Sequence, residues 1–249
     1  MEDIFAIGDK KRVREHGLFV DLESLNPQGY TLVEAKSMLF LSQIFHLLLP
    51  KNSPQPIRVR KVKGQGYAVA FEKIVHDPLH SQINAHRVSA YKFWEKRRGV
   101  AIPIKDPGLV EIQNERSKLW DKLGDIEKDP AFKKLFSQIQ EYGFGDLYEL
   151  SAVNFIKDEV NNEYIFIDPE PAIQQLREKG SLRRLGIPKV ITKLRIPFDQ
   201  LEVVIHEKLK GNSRKIGLEY LQKLRGLLPK RYENVFAGHH ESGVVVLRH

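Results

Sequence analysis

The stretch Glu149–Asp168, ELSAVNFIKDEVNNEYIFID, holds two short β-favouring runs around a polar turn. Val153-Asn154-Phe155-Ile156 is apolar apart from Asn154, residues 157–163 are polar and turn-like, and Tyr164-Ile165-Phe166-Ile167 is apolar again. Branched and aromatic residues on either side of a polar turn predict a β-hairpin. Pairing across the turn at 158–162 places Asn154, at the start of the first strand, and Asp168, after the second, at one end of the hairpin. An amide oxygen and a carboxylate would then face one volume. A hard divalent cation bound to a phosphate takes that pair of oxygen ligands and fills its octahedron with phosphate and water.

Before the hairpin come elements in a definite order. Thr31-Leu32-Val33-Glu34 opens a helix whose apolar positions Met38, Leu41, Ile44, Phe45 and Leu48 recur at helical spacing up to Pro50. Two β-favouring runs, 57–62 and 67–71, flank Gly64-Gln65-Gly66, a composition that suits a hairpin turn. Glu72-Lys73-Ile74 follows, and a helix over 130–142 leads into Gly143-Phe144-Gly145-Asp146.

The helix carrying Glu34, the strand pair and its hinge, the helix over 130–142, Asn154, the hairpin and Asp168 together resemble the protein-kinase-like fold, including its aminoglycoside-phosphotransferase and other small bacterial relatives. The resemblance spans residues 18–175 and is one of order and spacing. It implies an α+β chain of two lobes: a reduced N-lobe over 1–75 with strands and the helix 31–49, and a mainly helical C-lobe over 76–249. It implies ATP and Mg2+ as cofactors, with Asn154 and Asp168 as metal ligands and Glu34 and Glu72 on the nucleotide side. It also implies a catalytic-loop carboxylate, Glu149 or Asp146, to orient an acceptor hydroxyl. The chain departs from the pattern at several points. Glu149 stands five residues before Asn154, where the family has Asp, and Asp146 stands eight before. Asp168-Pro169-Glu170 replaces Asp-Phe-Gly. No GxGxxG loop precedes the Glu34 helix, and Lys10, Lys11, Arg12 and Arg14 lie in no V-A-I-K context. These departures divide the expectation between a phosphotransferase with an unknown acceptor and a non-catalytic, pseudokinase-like scaffold for a protein partner.

Each candidate also has a purely structural explanation. Thr31 and Glu34 form an S/T-x-x-E capping box that satisfies free helix N–H groups without any ligand. Asn154 can be a strand-end residue, Asp168 before Pro169 a strand terminator, and Glu149 a solvated carboxylate.

At 249 residues, 41% hydrophobic and 29% charged, the chain suits a soluble globular protein that is expected in the cytoplasm. It has no cysteine, which rules out disulfides, thiolate zinc sites and a cysteine nucleophile. The start Met1-Glu2-Asp3 lacks a signal-peptide pattern, and the longest apolar run is too short for a bilayer, so no membrane partner is expected. The formal charge of +8 supports a rival from another class, a basic nucleic-acid-binding protein. The excess concentrates over 177–231, with seven cations between Arg177 and Arg195, but no nucleic-acid-binding signature accompanies it. His239-His240-Glu241 lacks the HExxH spacing of a metal site. Helices are further expected over 109–125, 171–179, 198–209 and 213–228, a mixed segment over 76–94, and a final strand over 243–247.

Overall fold

The computed structural model describes residues 4–7, 11–24, 29–64, 66–75, 79–144, 151–158, 160–177, 190–194, 196–228 and 245–248. The protein is α+β. An antiparallel sheet of five strands comes first: β1 (Ile4–Ile7), β2 (Lys11–His16), β3 (Phe19–Ser24), β4 (Pro56–Val62) and β5 (Gly66–Glu72), in the spatial order β1-β2-β3-β5-β4. Of these, β4 and β5 are the two β-favouring runs read from the sequence, and β1, β2 and β3 are additional. β2 escaped because KRVREH carries a single large apolar residue, Val13, which stands opposite Leu22 of β3. Gly17, with φ +59, makes the tight β2–β3 turn, and Gly64, with φ +75, helps make the β4–β5 turn; both occupy backbone regions that side chains disfavour.

The two faces of this sheet differ in chemistry. Val13, Val20, Leu22, Val69 and Phe71 form one apolar surface with Ala35 and Met38 of the helix α1 (Leu32–Leu48). On the opposite face Asp21 and Glu23 are buried under long cations. Arg14 Nε donates to Glu23 at 3.0 Å, and Arg60 Nη1 donates to Asp21 at 2.9 Å. Their strand partners Ala70 and Ala68 are small, which leaves Arg60 room to cross. Burial pushes the Asp21 carboxyl up, against the opposing pull of Arg60 and His16. Because the folded state holds the proton more tightly, ionising Asp21 costs stability as pH rises from the unfolded pKa near 3.8 through the raised folded value. Asp21→Asn is therefore expected to melt higher relative to wild type at pH 7 than at pH 3.5. Melting curves at the two pH values that show a constant difference would rule this out.

The helix α1 begins with the expected capping box: Glu34 N donates to Thr31 Oγ1 at 3.1 Å and Thr31 N to Glu34 Oε2 at 2.9 Å. Ala35 and Met38 face the sheet, while Leu41, Ile44 and Phe45 join a second and larger core. That core gathers α2 (Leu79–Lys96), α3 (Pro107–Lys128), α4 (Pro130–Glu141), α5 (Phe198–Lys208) and α6 (Gly211–Arg225) around the hairpin of β6 (Phe155–Asp158) and β7 (Glu163–Phe166). Asp106 and Asp129 each cap the helix behind them with a proline at its start, an arrangement that uses proline's fixed φ and missing N–H.

Two expectations fail. Residues 79–96 form a regular helix, which the mixed polar composition hid; its buried positions Ile83, His86 and Phe93 follow helical spacing. Residues 171–179 were expected to be helical, but Ile173–Arg177 is a strand, β8, in a sheet ordered β10-β9-β8 with β9 (Val190–Leu194) and β10 (Val245–Arg248). Tertiary contact overrides the local pattern here. Ile173 N donates to Ser37 Oγ at 3.1 Å and Gln175 N to Glu34 Oε1 at 2.9 Å, so α1 holds β8 extended.

Candidate functional site

The hairpin forms with the register Phe155↔Phe166 to Asp158↔Glu163. Its turn includes Asn162 in the left-handed region (φ 54), and the Asp158 carboxylate accepts from Val160 N at 2.9 Å. Burial pushes that carboxyl up, but hydrogen bonds from Asn161 and from the Val160 and Asn161 backbone outweigh it and hold it low. The outer strand is anchored on both sides: Asn52 Nδ2 donates to Tyr164 O and Phe166 N to Asn52 O, both at 2.9 Å. Tyr164 Oη donates to Asp129 Oδ2 at 2.8 Å, and this bond with the Ala131 N–H keeps the Asp129 carboxyl below its ordinary range.

At the open end of the hairpin, Asn154 closes a 3-10 turn over Ala152–Asn154 and is buried. Ile167 N donates to Asn154 O at 2.9 Å, so Asn154 lies across from Ile167, the residue before Asp168. Asn154 and Asp168 thus lie just outside the paired strands, at the same end of the hairpin. Pro169 follows Asp168 directly.

A cleft runs between the five-stranded sheet and this hairpin. Its roof is Val13, Val20 and Leu22, its back is Phe71, and its side is the connecting segment Glu72-Lys73-Ile74. Its floor is Ile156, Ile167 and Pro169. Ile156 stands two residues after Asn154, and Ile167 and Pro169 flank Asp168, so the floor of the cleft and the end bearing Asn154 and Asp168 belong to the same hairpin. The apolar lining with a few polar groups suits a small-molecule site. Lys73 forms an ion pair with Glu15 across the cleft side. The roof and floor were missed in the sequence, although the alternation of β6 placed Ile156 on the face of Asn154 and Val13 was the single apolar residue of its strand.

The other predicted residues have definite positions. Glu72 is at the cleft edge, where its Oε1 accepts from Gln55 N at 2.9 Å. Glu34 lies behind the sheet, with one carboxylate oxygen on Thr31 N and the other on Gln175 N. Along β3 the positions facing α1 and the cleft are Val20 and Leu22, with no lysine. Asp146 and Glu149 lie outside the described residues, as do residues 178–189, 229–231 and 239–241 of the basic and histidine clusters. Several described cations of 208–225 have intramolecular partners: Lys208 pairs with Glu141, Arg225 with Asp199 and Glu202, and Arg214 Nε donates to Leu209 O. Lys223 stands over the rings of Tyr220 and Phe40. Among the described residues no group of three or more His, Asp or Glu could hold a metal by itself, and no helix is long and apolar enough to cross a membrane. A cation at Asn154 and Asp168 would therefore need oxygens from phosphate and water.

No protein-family model matches the chain, and no curated protein matches it. Among solved structures, the GDP and kanamycin complex of APH(2")-IIia is similar at 14% sequence identity, covering 91% of this chain and 80% of that one with a TM-score of 0.29. A superposition that loose assigns nothing to individual residues.

Proposed function

We propose that the protein is a kinase-like nucleotide-binding protein, with 1–75 and 76–249 as its two lobes and the base of the nucleotide in the cleft between the sheet and the hairpin. The observation that carries this reading is the shared construction of the cleft floor and the hairpin end that bears Asn154 and Asp168. β6 supplies Ile156 and the residue after β7, Ile167, completes the apolar floor, and the hairpin end that carries them is bounded by Asn154 and Asp168. Valine and leucine above and isoleucine below suit a flat base, and Glu72-Lys73-Ile74 runs along the edge where backbone groups could meet it. Mg2+ held by Asp168, Asn154 and phosphate oxygens would neutralise the charge at the transferred group. Asp146 or Glu149 would orient an acceptor hydroxyl.

A second reading, the non-catalytic form, is favoured by one observation. In the kinase-like pattern the glutamate of this helix pairs with a strand lysine, whereas Glu34 already accepts two backbone N–H groups and β3 offers no lysine beside it. The two readings share the binding site and differ in turnover.

Melting with ATP and Mg2+ together, and with each alone, tests the shared site. At ligand about 100-fold above Kd, selective binding to the folded state is worth about 2.7 kcal/mol, or a rise of about 5–10 °C for a chain of this size. The rise is expected to need both ligands and to vanish in Asp168→Ala. No rise at millimolar nucleotide ends the proposal. Where the rise occurs, production of ADP from ATP by wild type but not by Asp168→Ala selects the enzyme over the scaffold.

A further inference from the structure

We propose that the end of the α2–α3 hairpin is a peripheral docking surface for an anionic lipid bilayer. The two helices lie antiparallel, since Lys122 Nζ donates to Gln82 Oε1 at 3.2 Å and His86 Nδ1 meets Glu115 Oε2 at 3.3 Å. The inside of the hairpin end is fully packed. Phe93 is buried, a Cβ on Gly108 would come within 2.9 Å of its ring, and Arg97 stacks on that ring at 4.0 Å while pairing with Asp106 at 3.6 Å. Asp106 also caps α3 through Gly108 N and Leu109 N. The end is thus a built structure with its own core.

Its outer surface is unlike that of a solvated helix pair. Tyr91 is 65% exposed, Trp94 52%, Val100 66% and Ile104 86%. Tyr91 and Trp94 stand three apart on α2, which places them on one stripe, and Arg98 follows in the turn that leads to the loop carrying Val100 and Ile104. Lys92, Lys96, Arg98 and Lys105 are exposed around them. Over residues 87–105 the sequence has six cations (Arg87, Lys92, Lys96, Arg97, Arg98, Lys105) against the single carboxylate Glu95. Tyrosine and tryptophan seated among aliphatic side chains and ringed by lysine and arginine suit the headgroup layer, where the rings sit at the boundary and the cations meet anionic lipid. The charge sign commits the surface to an anionic bilayer, which revises the expectation of no membrane partner; the contact is interfacial and spans nothing.

The hairpin also sets the height of the cleft. His80 and Ser81 at the start of α2 line the cleft, and the 18 residues of that helix carry its far end about 27 Å away at 1.5 Å per residue. A bilayer on the hairpin end would leave the cleft open to solvent.

Sedimentation with phosphatidylcholine vesicles, with and without about a third phosphatidylserine, tests the proposal on the full chain. Binding is expected only with the anionic lipid, to weaken with salt, and to fall about tenfold in Trp94→Ala and in Ile104→Ser. Trp94 and Trp120 are the two tryptophans. In a Trp120→Phe background, Trp94 emission should therefore shift to the blue on anionic vesicles. Unchanged melting temperatures would show that both variants fold. Absence of binding to the anionic vesicles overturns the proposal. So does anionic binding that both variants retain with no Trp94 shift, or an equal Trp94 shift produced by a soluble acidic polypeptide or by single-stranded DNA.

Discussion

Phe155→Ala is expected to lower the unfolding free energy by about 3–5 kcal/mol, the range for removing a fully buried aromatic ring. Phe155 is 3% exposed and sits at the centre of an aromatic group, edge-on to Phe132 at 5.0 Å and to Phe166 at 5.3 Å. Phe166 in turn meets Phe45 of α1 at 5.9 Å, and Phe45 meets Phe144 at 5.0 Å. The ring therefore ties the hairpin to α4 and, through Phe166, to α1, and the cavity left by its loss has stiff walls on both sides. Because Phe155 directly follows Asn154, its loss should also loosen the end of the hairpin and reduce nucleotide-dependent stabilisation beyond the general loss of stability. Urea unfolding gives the first quantity and thermal shift with ATP and Mg2+ the second. Val160→Ala in the exposed hairpin turn is the control, with an expected change within about 0.5 kcal/mol. A loss below about 1.5 kcal/mol for Phe155→Ala would falsify the aromatic group as the joint between hairpin and helices.

Glu34→Ala carries the second large effect, about 2–4 kcal/mol. The Thr31 hydroxyl cap survives, but Thr31 N loses its acceptor, a hydrogen bond worth about 1 kcal/mol, and the Gln175 N–H left without its carboxylate in a half-buried setting adds the penalty of an unmet donor, about 1–3 kcal/mol. Glu34→Gln keeps one acceptor oxygen and should recover about half. The pair of variants separates two roles for this carboxylate. If it holds α1 to β8, the stability losses appear without any ligand, and the rise caused by ATP and Mg2+ survives in Glu34→Gln. If it serves an ion pair formed only with nucleotide, stability without ligand barely changes and the rise disappears. The contacts to Thr31 N and Gln175 N point to the first outcome.

What the residues of the chain dictate locally was legible. Thr31 and Glu34 announced a capped helix, Gly64 and Gly66 a turn, Asp129-Pro130 a helix start, and the polar stretch between Ile156 and Tyr164 a hairpin with Asn154 and Asp168 at one end. Each of these follows from sterics or hydrogen bonding within a few residues, so the sequence alone determined them. The three early strands, the extended conformation of 173–177 and the cleft are set by contacts between distant residues. Asp21 and Glu23 are buried only because Arg60 and Arg14 cover them on the outer face of the sheet. Ile173–Arg177 reads as a helical turn until Ser37 and Glu34, more than 130 residues earlier, take its N–H groups. The cleft exists because the apolar face of β2, β3 and β5 stands over the floor that Ile156 and Ile167 supply. Long-range pairing places side chains in one volume by folding the backbone, and no spacing along the chain records that distance.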